Sequence, residues 1–291
     1  MTVTELPHIS STDRCRTCAV RHLGFCNWFD DAKNREIARK TRRTTFAAGG
    51  AILDQGEAAQ RVGIILSGLV KIVLVDEEGD EHLIQLLHAG EMVGDPFSSV
   101  SAYSWQAATD CELCWLPPGA LAAAIRESPA AYGRQLEAMM GLVQEQRFAQ
   151  IALRGRNSLQ RVAHWLFLQI PPEATPTPVR LRIVLTRRDL ASLLEMTVET
   201  LCRALHQVEE RGAIRLAAPD LVDLRDRALL RRLCRGHDDQ LQQTLLQAGW
   251  EWGARPVGIR AVPNLIPRKP GNATEAAVSC MTSVKDSRRP A

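Results

Sequence analysis

Between about residues 44 and 116 the apolar residues come in short runs. Gly63-Ile-Ile-Leu66 and Leu69-Val-Lys-Ile-Val-Leu-Val75 are two of them. Between the runs stand turn signals: Gly49-Gly50, Gly56-Glu57, Ser67-Gly68, Glu78-Gly79-Asp80 and Gly90-Glu91. Turns roughly every 8–12 residues predict an antiparallel sandwich, roll or barrel. Glu78-Gly79-Asp80, between two runs, reads as a hairpin tip.

The period then becomes helical. Ser128 suits an N-cap and Pro129 the first helical position. Leu136, Met139, Met140, Val143, Ile151 and Leu153 recur at helical spacing, with no break before Gly155. Roughly 25 residues of helix would be close to 40 Å long, more than a small sandwich needs. Near-heptad apolar spacing predicts pairing with a second copy, against the alternative of a helix lying on the sandwich. Gln146 and Gln150 interrupt that seam. A further helix is predicted over about 159–168. Pro171-Pro-Glu-Ala-Thr-Pro-Thr-Pro178 then reads as a loop at a domain boundary.

Residues 180–225 form a compact unit. Thr186-Arg-Arg-Asp189 has capping-box form and opens a short helix, Arg187 to Leu194. Glu195-Met196 makes a tight turn. Thr197 caps a second helix from Val198 to about Glu210, and Gly212 sits where a left-handed cap belongs. Two short helices joined this closely predict a helix-turn-helix. Val198, Leu201, Leu205 and Val208 should pack inward. Glu199, Thr200, Cys202, Arg203, His206 and Gln207 should face outward, toward base edges. Arg203 can pair with guanine and Glu199 can accept from the cytosine amine. An Arg and a Glu one turn apart are also the ordinary makings of a solvated ion pair. Ala213-Ile-Arg-Leu216 and Leu221-Val-Asp-Leu224, flanking Ala217-Ala-Pro-Asp220, read as a β-wing. Between Arg182 and Arg215 six basic residues face five acidic ones, so Arg154, Arg156, Arg161 and Arg180 are the expected phosphate contacts.

At 291 residues the chain accommodates two domains, and 45% hydrophobic with 24% charged residues is ordinary for a globular protein. A net charge of +3 leans only weakly toward anionic partners. No run of about 18 apolar residues suggests a membrane span. The start, Met-Thr-Val-Thr-Glu-Leu-Pro, lacks a signal-peptide pattern. A cytoplasmic setting is therefore expected, in which eight cysteines favour metal or redox chemistry over structural disulfides. Cys15, Cys18 and Cys26 are the densest group. Thiolates select zinc, copper(I) or iron–sulfur clusters, and a site with three ligands usually needs a fourth.

The order of parts, with Thr186-Arg-Arg-Asp-Leu-Ala and Met-Thr-Val-Glu-Thr-Leu-Cys-Arg203, resembles the CRP/FNR superfamily of dimeric bacterial transcription regulators. Gly79-Asp-Glu81 and His88-Ala-Gly-Glu-Met-Val-Gly94 look like its sandwich turns. The segment Cys15-Arg-Thr-Cys-Ala-Val-Arg-His-Leu-Gly-Phe-Cys26 is similar to that of the FNR-type oxygen sensors. The resemblance implies an α+β chain: a leader (1–35), an antiparallel β-roll (36–126), a dimerisation helix (127–155) and a winged helix-turn-helix (156–226). Residues 227–291 are expected to be a largely disordered extension. It implies a [4Fe–4S] cluster on Cys15, Cys18, Cys26 and one β-roll cysteine. Cys114, before Trp115-Leu116-Pro117, matches better than Cys111, and strand alternation sends the two to opposite faces. It also implies a cluster-promoted homodimer through Leu136, Met139, Met140, Val143 and Leu153. Its partners would be palindromic double-stranded DNA, met by Arg187, Thr197, Glu199, Thr200, Cys202 and Arg203, and RNA polymerase.

Two departures from the family pattern stand out: Cys202 where serine is usual, and Glu195 where glycine is common at the turn. Cyclic-nucleotide regulators of this superfamily use a Gly-Glu step followed by an Arg-Ser or Arg-Thr pair. Here Gly90-Glu91 is followed by Tyr103-Ser-Trp-Gln-Ala-Ala108, without the arginine that would pair a cyclic phosphate. The competing readings are structural zinc, a haem sensor using His8, His22, His82 or His88, and a thiol-redox enzyme using Cys15-x-x-Cys18. No βαβ pattern supports the last, and the chain is read as a regulator with no catalytic residues.

Overall fold

The computed structural model describes residue 15 and residues 17–153, 156–170 and 179–234. The chain divides into two units, residues 1–147 and 148–291. The Pro-rich loop at 171–178 and the expected disorder beyond residue 234 lie outside the described residues.

In the first unit, eight strands form two four-stranded antiparallel sheets. One has the order β1 (Arg42–Phe46), β8 (Cys111–Leu116), β3 (Val62–Ser67) and β6 (Met92–Val93). The other runs β2 (Ala51–Leu53), β7 (Ser104–Ala107), β4 (Val70–Val75) and β5 (Glu81–Leu87). Ile52, Ile65, Val70, Trp105, Ala107, Cys111, Leu113 and Trp115 belong to one apolar cluster. This is the β-roll that the runs and turns predict. Gly79 sits at the β4–β5 tip at φ +86°.

Strands β3 and β8 are covered on both faces. Val62, Ile64 and Leu116 join a second cluster with α2 (Pro118–Glu127) and residues of the leader. Double burial explains why Val62–Leu66 reads as a continuous apolar run instead of an alternating one. At Gly63 a Cβ would come within 2.9 Å of the Trp115 ring, so only glycine lets the indole lie flat there.

Residues 17–35 of the leader are a folded part of this unit. A 3₁₀ turn, Gly24–Trp28, precedes α1 (Asp31–Ala38), which Asp30 caps by accepting from the Lys33 amide at 2.8 Å. Helix α3 follows over Pro129–Leu153, 25 residues, with the Ser128 hydroxyl accepting from the Ala131 amide as expected. Tyr132, Leu136, Met139, Met140, Leu142 and Val143 are 43–63% exposed in the single chain. These residues therefore do not lie buried against the roll.

In the second unit, α4 (Ser158–Leu168) starts with a reciprocal capping box between Asn157 and Gln160. The two helices α5 (Arg187–Leu193) and α6 (Val198–Glu210) match the expected helix-turn-helix closely. A three-stranded sheet, ordered β10 (Ile214–Ala218), β11 (Leu221–Leu224) and β9 (Val179–Arg182), forms the wing. A last helix, α7 (Arg227–Leu233), packs on α4 and buries Leu230 completely. The winged domain thus extends past residue 226, the boundary expected from sequence.

Candidate metal centre and nucleic-acid interface

Leader and roll are held together by backbone contact that only glycine allows. Gly24 has φ +54°, and a Cβ there would lie 2.2 Å from the carbonyl oxygen of Gly90 and 2.9 Å from Ile64 Cδ1. Gly90, at φ +92°, would in turn drive a Cβ to 2.6 Å from that of Leu23. Val20, Phe25, Phe29 and Ile37 anchor the leader in the cluster shared with Ile64, Leu116, Leu121 and Ile125. The Asn34 side-chain amide donates to the Cys26 carbonyl (2.9 Å) and to the Phe29 carbonyl (3.1 Å), closing the loop between the 3₁₀ turn and α1.

This docking brings two leader thiols to the cluster that also receives a cysteine of β8. Cys18, Cys26 and Cys114 pack against the same apolar cluster. Burial pushes the Cys26 thiol up to about 12, and charge on Cys114, Cys18 or Cys15 would push it the same way. The Cys114 thiol is raised to about 11 by burial, opposed by a hydrogen bond with Thr41 and raised further by Cys15 and Cys18. Cys15 is also raised, by burial and then by Cys18, while Arg43 and Arg21 pull it down. The four sulfurs therefore lie within electrostatic reach of one another. Cys111 goes elsewhere, buried between the sheets at 4% exposure. The alternation argument separates the two β8 cysteines correctly: three residues apart, they face opposite sides of the strand.

The chemistry of this donor set fits a thiophilic cation. Cys15, Cys26 and Cys114 are costly to ionise, because burial and neighbouring thiolate charge both oppose it, and a multivalent cation relieves both penalties at once. Arg43 and Arg21 add positive charge beside them. Among the described residues no three His, Cys, Asp or Glu side chains are drawn tightly enough together to cage a metal ion as they stand.

In the second unit the recognition geometry rests on capping and on one clamp. The Thr186 hydroxyl accepts from the Asp189 amide (3.0 Å) and donates to the Asp189 carboxylate (2.7 Å). Thr197 accepts from the Thr200 amide at 3.2 Å. Between the helices Glu195 has φ +52°, the one left-handed non-glycine among the described residues. The Arg161 guanidinium holds this turn, donating to the Leu194 carbonyl (3.0 Å) and the Glu195 carbonyl (3.2 Å). Sequence reasoning missed that role because Arg161 lies 33 and 34 positions away.

Helix α6 presents Glu199 and Arg203 to solvent, joined at 2.6 Å in an exposed ion pair. Thr197 is exposed and Thr200 half-buried, their hydroxyls 2.9 Å apart. Two expectations about this helix are corrected. Cys202 is buried at 8% exposure and is not on the outward face, whereas Val198 is 40% exposed instead of packed inward. At about 100° per residue Cys202 lies at the edge of the stripe centred on Leu201 and Leu205. Val198 begins the helix, where the stripe runs out.

Arg187 is not a free base- or phosphate-reading side chain either. It is half-buried and its guanidinium donates to the Pro219 carbonyl, tying α5 to the wing. The expected phosphate contacts are similarly occupied. Arg156 is buried and donates to the Cys234 carbonyl, and Arg180 makes a two-pronged pair with Asp223 at 2.7 and 3.2 Å. Arg154 lies outside the described residues. Arg188, Arg211 and Arg215 stand exposed in their place.

Comparison with known proteins covers both units. The cyclic nucleotide-binding domain model matches residues 43–128, and the Crp-like helix-turn-helix domain model matches 160–233. The chain is 29% identical over 205 residues to a "Probable transcriptional activator" of Rhizobium leguminosarum bv. viciae, covering 69% of this chain and 85% of that one. It is 24% identical over 236 residues to the transcriptional activator protein FnrL of Cereibacter sphaeroides, covering 79% and 94%. The solved structure of FixK2 from Bradyrhizobium japonicum superposes with a TM-score of 0.57 at 19% identity, over 67% of this chain and 98% of that one, a likeness of fold.

Proposed function

The chain belongs to the CRP/FNR superfamily of DNA-binding transcription regulators, and we propose that it is an oxygen-responsive member whose Cys15, Cys18, Cys26 and Cys114 hold one [4Fe–4S] cluster. The observation that supports this reading is that Cys18 and Cys26 pack against the same apolar cluster as Cys114, with Cys15 within electrostatic reach, while Cys111 turns into the core. When bound, the cluster supplies an oxygen-labile set of bonds between leader and β-roll.

The rest of the work falls to the chain's own residues. The Gly24–Gly90 contact and the Phe25 and Phe29 anchors hold the leader thiols facing β8. Without a cation, burial keeps the Cys26 and Cys114 thiols protonated, and the leader is held by packing and by its hydrogen bonds and ion pairs with the rest of the unit. In α3, Leu136, Met139, Met140 and Val143 offer an apolar stripe to a second copy, with Leu153 half-buried at its far end. Dimerisation sets two α6 helices to read a palindrome whose half-sites lie about 34 Å apart. Arg203, pre-aimed by Glu199, reads guanine, and Glu199 reads the paired cytosine. Thr197 and Thr200 stay at the same helix start. Contact with RNA polymerase completes the proposal.

The test is binding of air-free protein to a labelled palindromic duplex by anisotropy, before and after admitting air. Affinity should fall at least about tenfold, equal to about 1.4 kcal/mol, in step with iron loss. Unchanged affinity as iron leaves, or a protein carrying zinc and no sulfide, refutes the reading.

A further inference from the structure

The leader touches more than the β-roll. The residue after Cys26 is Asn27, and its carbonyl accepts from Arg134 Nη1 at 2.6 Å. Arg134 lies in the second turn of α3. Six residues beyond Asn27, Lys33 on α1 reaches Glu127 Oε2 at 2.8 Å, at the end of α2 and just before α3 begins. Between these polar contacts Ala131, in the first turn of α3, is fully buried in the cluster formed by Phe25, Phe29, Ile37 and Ile125. The 3₁₀ turn carrying Cys26 and the first two turns of α3 are thus packed as one body.

We infer that Arg134 and Lys33 are positioning residues that couple the cysteine centre to the start of α3, so that ordering of the leader at Cys26 orders the helix whose apolar stripe is exposed from Tyr132 to Val143. This deepens the proposed function and rests on its assignment of that helix as the dimerisation element. The physical content is a shared state. When the leader is seated, Arg134 has a carbonyl to hold and Ala131 an apolar wall. When it lifts, the first two turns of α3 lose both, and the stripe loses the fixed base from which it meets a second copy.

Two measurements on the full chain test this. In metal-free protein, hydrogen exchange is followed in wild type, Arg134→Ala, Arg134→Lys and Lys33→Ala. Arg134→Ala should speed exchange roughly three- to tenfold in residues 24–29 and 129–136 together, the scale of one exposed charge-assisted hydrogen bond. Lysine at 134 should restore part of the protection. Lys33→Ala should act in the same direction. A change confined to one segment, or none, overturns the coupling.

In air-free protein loaded with iron and sulfide, the ratio of dimer dissociation constants between cluster-free and loaded forms is measured by sedimentation. Arg134→Ala should keep its iron but shrink that ratio by roughly threefold or more. An undiminished ratio, or loss of iron with the substitution, overturns the assignment. A wild type that takes up no cluster would sink the proposed function, while the metal-free exchange experiment would still decide the coupling.

Discussion

The Gly24–Gly90 contact can be broken by a single methyl group, and a matched control exists elsewhere in the roll. Gly24→Ala forces alanine to φ +54° and places its Cβ 2.2 Å from a backbone oxygen. Gly49→Ala forces alanine to φ +82° with nothing within 4 Å of the new atom. The control therefore carries the left-handed penalty alone, about 1–2 kcal/mol. Gly24→Ala carries that penalty plus overpacking against a carbonyl that cannot swing aside, adding about 1–3 kcal/mol. The total of about 2–5 kcal/mol is capped by the free energy of leader docking, because the leader can lift before the roll unfolds. The two variants should therefore differ in kind. Gly49→Ala lowers the midpoint of urea unfolding as a single transition. Gly24→Ala deprotects residues 17–29 to hydrogen exchange while leaving β3, β4 and β8 protected. If Gly24→Ala proves no more disruptive to the leader than Gly49→Ala, the close approach does not hold the thiols in place.

Other expectations concern the second unit. Glu195→Gly should stabilise it by a net gain of about 0.5–1 kcal/mol, after the larger entropy glycine loses on folding. Arg161→Ala should cost about 2–3 kcal/mol by removing its two hydrogen bonds to the turn and a third to the Arg156 carbonyl. Thermal unfolding of both variants reads this out, and a neutral Arg161→Ala would remove the clamp from the account. His164 is held neutral, its pKa lowered to about 4 by burial and then by Arg156, and its Nε2 is buried without a hydrogen-bond partner among the described residues. Because the unfolded chain takes up this proton near pH 6.5, the contribution is full above that value and is lost as pH falls toward 4. The loss is about 3 kcal/mol, and urea titrations of His164→Leu across that window should show a flatter pH dependence. Arg203→Ala should cost about 1–3 kcal/mol of discrimination at one guanine; an equal loss on every duplex sequence would make Arg203 a phosphate contact.

What could be read from sequence depended on how local its cause was. The cap at Thr197, the turn at Glu195 and the glycine at 212 act within a few residues, and the helix-turn-helix was legible almost to the residue. The opposite facing of Cys111 and Cys114 follows from strand geometry alone. The docking of the leader was not legible, because it rests on Gly24 meeting Gly90 across 66 positions, and neither glycine announces its partner. Strand β9 was missed because only Leu181 in its four residues is buried, so no alternating stripe exists. Helix α7 was masked by its arginines, although Asp226 caps it and Leu230 fills the core. Cys202 and Val198 changed places because burial at the edge of a stripe is decided by neighbours, not by period. Arg156, Arg161, Arg180 and Arg187 looked like free cations in a list of residues. In the fold each has a carbonyl or carboxylate to hold.

The central claim is that sulfur from the leader and sulfur from β8 share one inorganic cofactor. Its most direct test is iron and acid-labile sulfide analysis of air-free protein in three forms: wild type, Cys114→Ala and Cys111→Ala. The account predicts about four iron and four sulfide per chain in wild type and in Cys111→Ala, and almost none in Cys114→Ala. Full iron and sulfide in Cys114→Ala, or zinc without sulfide in the wild type, would contradict it.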